Sequence, residues 1–245
     1  MFNSKCPAQI SPPGLGETNS ASWLAIGLEQ DLGKENSITS TTYFGLGRMS
    51  TPENHNLFNK QAIYVLNEEL AFRFKKKWKY AFAFSYRWQN NYQSTPPYAR
   101  DNPNGRQEIR LSSRLTYLNH KHTYIDYSFS FRPELRFFYN PDFMPAPKDM
   151  QIRSRFRGKL AFNLNSLETH RLITTAELFF STTRNTHWSR IDYQEARLCF
   201  YYAVTLPKQK LELHLGYMNN LRGKSIINGV NHLVINIILK NPFEK

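Results

Sequence analysis

The chain has 245 residues, of which 15% are aromatic, mostly Phe and Tyr, and its formal net charge is +13. No window of about 18 apolar residues occurs, which excludes a membrane helix. The two cysteines, Cys6 and Cys199, are nearly the whole chain apart. With no CxxC pair and no metal-ligand spacing, neither a metal nor a cofactor is expected; a Cys6–Cys199 disulfide is the one pairing open. A basic chain ordinarily meets nucleic acid or anionic surfaces, so the direction in which the cations point decides its class.

Residues 1–19 are rich in Pro, Gly, Ser and Asn and read as an irregular tail. Its opening, MFNSKCPAQISPPG, lacks the apolar core of an export signal, so the expectation is a numbering that starts after processing. Residues 20–245 read as one all-β domain. Trp23–Gln30 alternates weakly and is followed by the turn GKEN (33–36). Ser40–Arg48 sets Phe44 and Leu46 against Gly45 and Gly47. Ala62–Phe74 places Glu68 on its apolar row, which calls for a bulge or a rim position. Tyr80–Trp88 carries five aromatics on one face, and Ala81, Ala83, Ser85 and Arg87 on the other. Glu108–Tyr117 opposes Ile109, Leu111, Leu115 and Tyr117 to Glu108, Arg110, Ser112 and Arg114. Tyr124–Tyr139 opposes an aromatic row to Asp126, Arg132, Glu134 and Arg136.

Met150–Leu164 is the most informative stretch. Arg153, Arg155, Arg157 and Lys159 occupy every second position, while Ile152, Phe156, Leu160 and Phe162 fall between them. A helix would scatter these cations around its cylinder; a strand gathers them into one row opposite one apolar row. Arg171–Phe180 places Glu177 among its polar positions, and Gln194–Val204 sets Glu195 and Arg197 against Leu198, Phe200 and Tyr202. Lys210–Met218 pairs Glu212 and His214 on one face, and His232–Leu239 closes the series. Short connectors alternate with long ones rich in Pro, Asn and Gly. That is the signature of an up-and-down antiparallel barrel of about 10–12 strands.

The large residues are on one face of every strand. The other face mixes Ala, Ser, Gly and Thr with Arg and Glu, which is the inverse of a soluble barrel. The strands are long enough for a tilted membrane crossing. The fold class expected is therefore a transmembrane β-barrel. Trp23, Trp78, Trp88, Tyr117, Tyr139 and Tyr217 are placed in its interfacial girdles. One conflict remains: a short turn after the first strand puts the start of that strand on the long-loop side. A twelfth crossing within residues 1–19 or a tail tucked into the lumen is the expected resolution; a short GKEN turn on the extracellular side is the other.

The Trp23-bearing first strand, QEIRLSSRL (Gln107–Leu115), IRSRFRGKL (Ile152–Leu160) and the run EARLCFYYAVTLPKQKLELHLGYMNN (Glu195–Asn220) followed by NHLVINIIL (Asn231–Leu239) carry a resemblance. From about Ser22 onward the chain resembles a Gram-negative, Bacteroidota-type family of outer-membrane β-barrels catalogued as a domain of unknown function, family 2490. The resemblance implies a barrel, a secreted precursor and a bacterial outer-membrane location, and no established reaction.

The candidate site is the lumen. Its cations are Arg110, Arg114, Arg132, Arg136, Arg153, Arg155, Arg157, Lys159 and Arg197, and the carboxylates expected to pair them are Glu108, Asp126, Glu134, Glu177, Glu195 and Glu212. Such a network closes a barrel of this size. The expected role is a non-enzymatic structural or accessory subunit of an envelope complex. Its partners would be outer-membrane lipid, lipopolysaccharide and other outer-membrane or periplasmic proteins. A narrow anion-selective channel is the first alternative. An outer-membrane lipid or peptide hydrolase is the second, with His214 as its one inward strand histidine. Nucleic acid is not an expected partner, because single-strand binding sheets put aromatics and cations on the same face.

Overall fold

The computed structural model describes residues 15, 18–32, 37–102, 105–122, 124–223 and 228–243, without the side chains of 120–122. The strands are β1 (Ser20–Asp31), β2 (Ile38–Met49), β3 (Lys60–Lys75), β4 (Trp78–Gln89), β5 (Arg106–His122) and β6 (Ile125–Tyr139). β7 (Pro145–Asn163), β8 (His170–Arg184), β9 (Asp192–Leu206), β10 (Leu211–Arg222) and β11 (Asn228–Lys240) complete the series. Each pairs with its sequence neighbours, and β1 pairs with β11, so the described residues form one closed eleven-stranded barrel. No helix among the described residues is long and apolar enough to cross a membrane. The closed barrel is compatible with an outer-membrane protein.

The odd number has a geometric consequence. Neighbours in an up-and-down sheet are antiparallel, so the first and eleventh strands point the same way and must close in parallel. Ten residue pairs do this, from Ser20 opposite Asn231 to Glu29 opposite Lys240. Closure leaves no free edge. No twelfth crossing is present among the described residues. β1 begins at the end that carries the long connections, so the conflict read from the short first turn is a property of the fold. GKEN itself, and residues 1–14, 16 and 17, lie outside the described residues. Leu15 is buried beside Gly47, and its carbonyl accepts a hydrogen bond from Arg222 Nη1, so this part of the tail packs against the inner wall.

Period-two alternation holds along every strand. Phe44, Leu66, Phe82, Phe84, Leu111, Phe129, Phe156, Leu178, Phe200 and Leu215 are exposed on the outer wall. Ala25, Val65, Arg110, Glu134, Arg153, Glu177, Cys199 and Glu212 are buried within. Trp78 and Tyr117 stack edge to face at the short-turn end, 5.2 Å between centroids.

Trp23 departs from the girdle expectation. It faces inward and is 2% exposed. Its indole fills the space left by Gly45 on the adjacent strand, where a Cβ would come within 2.2 Å of Trp23 Cη2. Alternation decides this: Trp23 shares parity with Ala21, Ala25 and Glu29, all buried.

Glu68 is the second departure. The irregularities of β3 fall between Gly47 and Arg48 of its β2 partner, and between Arg73 and Lys75. Neither is at Glu68, which stays on the outward row opposite Thr42 and Phe84.

Candidate functional site

The lumen has two kinds of lining. Trp23, Ile63, Val65, Tyr201, Met218, Val234 and Ile238 form an apolar cluster on β1–β3 and β9–β11, interleaved with buried polar and charged groups such as Glu29, Arg197, Glu212 and Asn236. Sequence reading assigned the inner face to small and charged residues and missed this apolar cluster. On β4–β8 the wall is charged. Strand register explains how the charges meet.

Arg110 lies opposite Arg136, and Arg132 opposite Arg155. Like charges in register repel unless a carboxylate bridges them. Glu108 bridges the first pair, accepting from Arg110 Nε at 2.8 Å and from both Nε and Nη2 of Arg136 at 2.8 Å. Glu134, directly opposite Arg153, takes its Nε at 2.7 Å and also meets Arg110 Nη1 at 3.3 Å and Arg132 Nε at 3.2 Å. Glu177 receives Arg155 Nη2 at 2.5 Å and lies 3.3 Å from Arg157 Nε. Glu195 pairs with Arg197, and Arg114 with Glu69, a carboxylate outside the expected pairing set. Lys159 and Asp126 occupy diagonal inward positions on adjacent strands, each within its own polar contacts.

Every expected lumen residue therefore faces inward, and most belong to one continuous network spanning β5 to β9. Arg110 is 1% exposed, Glu134 2% and Glu177 1%. Ionised groups this deep are tolerated only when paired and hydrogen-bonded.

Phe179 is the part of this network that sequence reading missed. It is fully buried, and the guanidinium carbons of Arg153, Arg155 and Arg197 lie 5.0, 5.1 and 4.6 Å from its ring centre. The signal was available: in Phe179–Phe180 alternation forces one ring inward, and Phe179 shares parity with Glu177. The ring face offers three crowded cations an attraction that needs no further anion.

Glu212 forms a second node at the short-turn end. Arg171 Nη2 lies 2.8 Å and His214 Nε2 2.6 Å from its Oε1, and Lys240 pairs with its other oxygen. His214 is 1% exposed. His232, also inward and 1% exposed, was not singled out from sequence because it opens the predicted strand. Among the described residues no group of three His, Cys, Asp or Glu side chains is arranged to hold a metal. Cys199 is a buried free thiol; Cys6 lies outside the described residues. No protein-family model and no curated protein matches the chain.

Proposed function

We propose that this chain is an integral outer-membrane barrel of the Gram-negative family it resembles. In this reading it is a non-enzymatic structural or accessory subunit of an envelope complex, with a lumen largely plugged by its own side chains. The observation that carries the reading is the segregation of the two faces. Large apolar side chains cover the outer wall, and Glu134 and Glu177, buried inside, each hold more than one arginine within 3.3 Å. A filled interior leaves the outer wall and the long loops as the surfaces through which such a protein acts. The burial of His214 within the Glu212 node supports a structural rather than a hydrolytic role for it.

The test is conductance together with assembly state. In planar bilayers the purified barrel is expected to be silent, and in mild detergent it is expected to migrate with partners. The surplus of inward arginines favours one second reading, a narrow anion pathway. A steady anion-selective current, lost on replacing Arg153, Arg155 and Arg157 by Gln, would install that reading instead. A lone monomer in mild detergent would count against the subunit reading. Hydrolysis of lipid or peptide abolished by His214→Ala would overturn the non-enzymatic part.

A further inference from the structure

We infer that the outer wall around Glu68 is a docking site for a second membrane-spanning polypeptide that presents a basic side chain at this depth. The inference rests on the outer-membrane reading above, and names the surface through which the subunit would assemble.

Along the outward rows of the described strands, ionisable side chains otherwise fall at strand ends. Arg48 and Arg184 lie at the long-loop end and His170 at the short-turn end. Glu68 lies in the interior of β3, between Tyr64 and Phe74 on the same face. With a rise of about 3.3 Å per residue and a tilt near 40°, it sits about 10 Å or more from either aromatic level. An ionisable group at such depth is costly, and in membrane proteins it marks a functional contact. The Ser40 and Thr42 hydroxyls, both outward, donate to its two oxygens, Ser40 at 2.6 Å. Two neutral donors orient the carboxylate; they do not neutralise it.

Beside Glu68 the wall is not smooth. Ser113, Pro133 and Ser154 are short outward residues in register on β5, β6 and β7, between Phe82 and Phe180. Pro133 has no N–H to give, and the β5–β6 ladder skips from Ser112–Glu134 to Leu115–Phe131 at this point. The result is a groove of about 630 Å3 with Glu68 at one edge and Phe84, Leu111, Leu135 and Ile152 along its sides.

Charge complementarity selects the occupant. A lipid headgroup is held at the interface and does not descend to this level. Among the described residues, a second copy of this chain has no outward cation at mid-strand depth to offer. A different chain with a Lys or Arg in its spanning segment matches both the carboxylate and the groove. Lipid and self-association are thus outcomes against the inference.

The test is in-cell photocrosslinking of the full chain in its native host. A benzophenone amino acid is placed at Phe82 or Leu111 in the groove, and at Leu215 on β10 as control. The expected result is one protein adduct from the groove positions only, mapped beside a Lys or Arg of a membrane-spanning segment. Glu68→Gln should lower its yield about tenfold while the barrel keeps its heat-modifiable migration. Lipid adducts alone, a self-adduct, equal adducts at Leu215 or indifference to Glu68→Gln would each overturn the inference. If the chain still migrates in a complex after such a result, the subunit reading stands and only the groove falls. A lone monomer removes both.

Discussion

Glu134→Gln is the sharpest probe of the interior. The carboxylate is 2% exposed and holds Arg153, Arg110 and Arg132 within 3.3 Å. The amide keeps the shape and removes the charge. Breaking a buried ion pair from one side costs about 3–5 kcal/mol, because the other charge is left uncompensated. Arg110 retains Glu108 and Arg153 retains the Phe179 face, so the loss belongs near the lower end, about 3 kcal/mol. At a slope of about 2 kcal/mol per M, the urea midpoint of the barrel folded in lipid vesicles falls by about 1.5 M. Removing the stranded cation as well, with Arg153→Met, should recover a good part of that loss. The control is Asp149→Asn at the rim, whose pair with Arg184 is 2.6 Å long but has side chains 33% and 44% exposed. Such a pair is worth about 1 kcal/mol or less. If Glu134→Gln costs no more than Asp149→Asn, the interior is wet and screened, and the lumen is not plugged.

Three further outcomes follow from the geometry. Gly45→Val should destabilise the barrel by about 1–3 kcal/mol by driving Cβ into the Trp23 indole, and Trp23→Leu should relieve most of it; equal loss in both backgrounds would refute the cradle. Phe156→Arg, on an outer-wall residue 47% exposed, should cost about 2–4 kcal/mol if that wall faces hydrocarbon, whereas a water-facing wall would accept it. Cysteines at Ala25 and Asn236, opposite one another across the β1–β11 seam, should form a disulfide on mild oxidation; failure to cross-link in the folded barrel would refute parallel closure.

Much of this architecture is written locally. The alternation of Arg153, Arg155, Arg157 and Lys159 with Phe156, Leu160 and Phe162 fixes a strand, its two faces and which of them is polar. The same logic places Glu108, Glu134, Glu177 and Glu212 inside, because a strand offers only two sides and one is visibly apolar. Where reading along the chain went astray, the deciding quantity was non-local. Trp23 was assigned to a girdle by residue type, but its position depends on Gly45 of the next strand having no side chain. Glu68 calls for a bulge or a rim position because a carboxylate conflicts with an apolar row; instead, Ser40 and Thr42 of β2 supply donors that let it stay.

What the sequence determined by itself is therefore the strand, its length and its inside and outside, since these follow from covalent parity and side-chain chemistry. What only the tertiary structure decided is closure and partnership. Eleven strands must meet in parallel, an apolar cluster and a charged network share the lumen, and three guanidiniums converge on Phe179. Each depends on register between strands distant in the chain, and register is set by the whole barrel closing on itself rather than by any one strand.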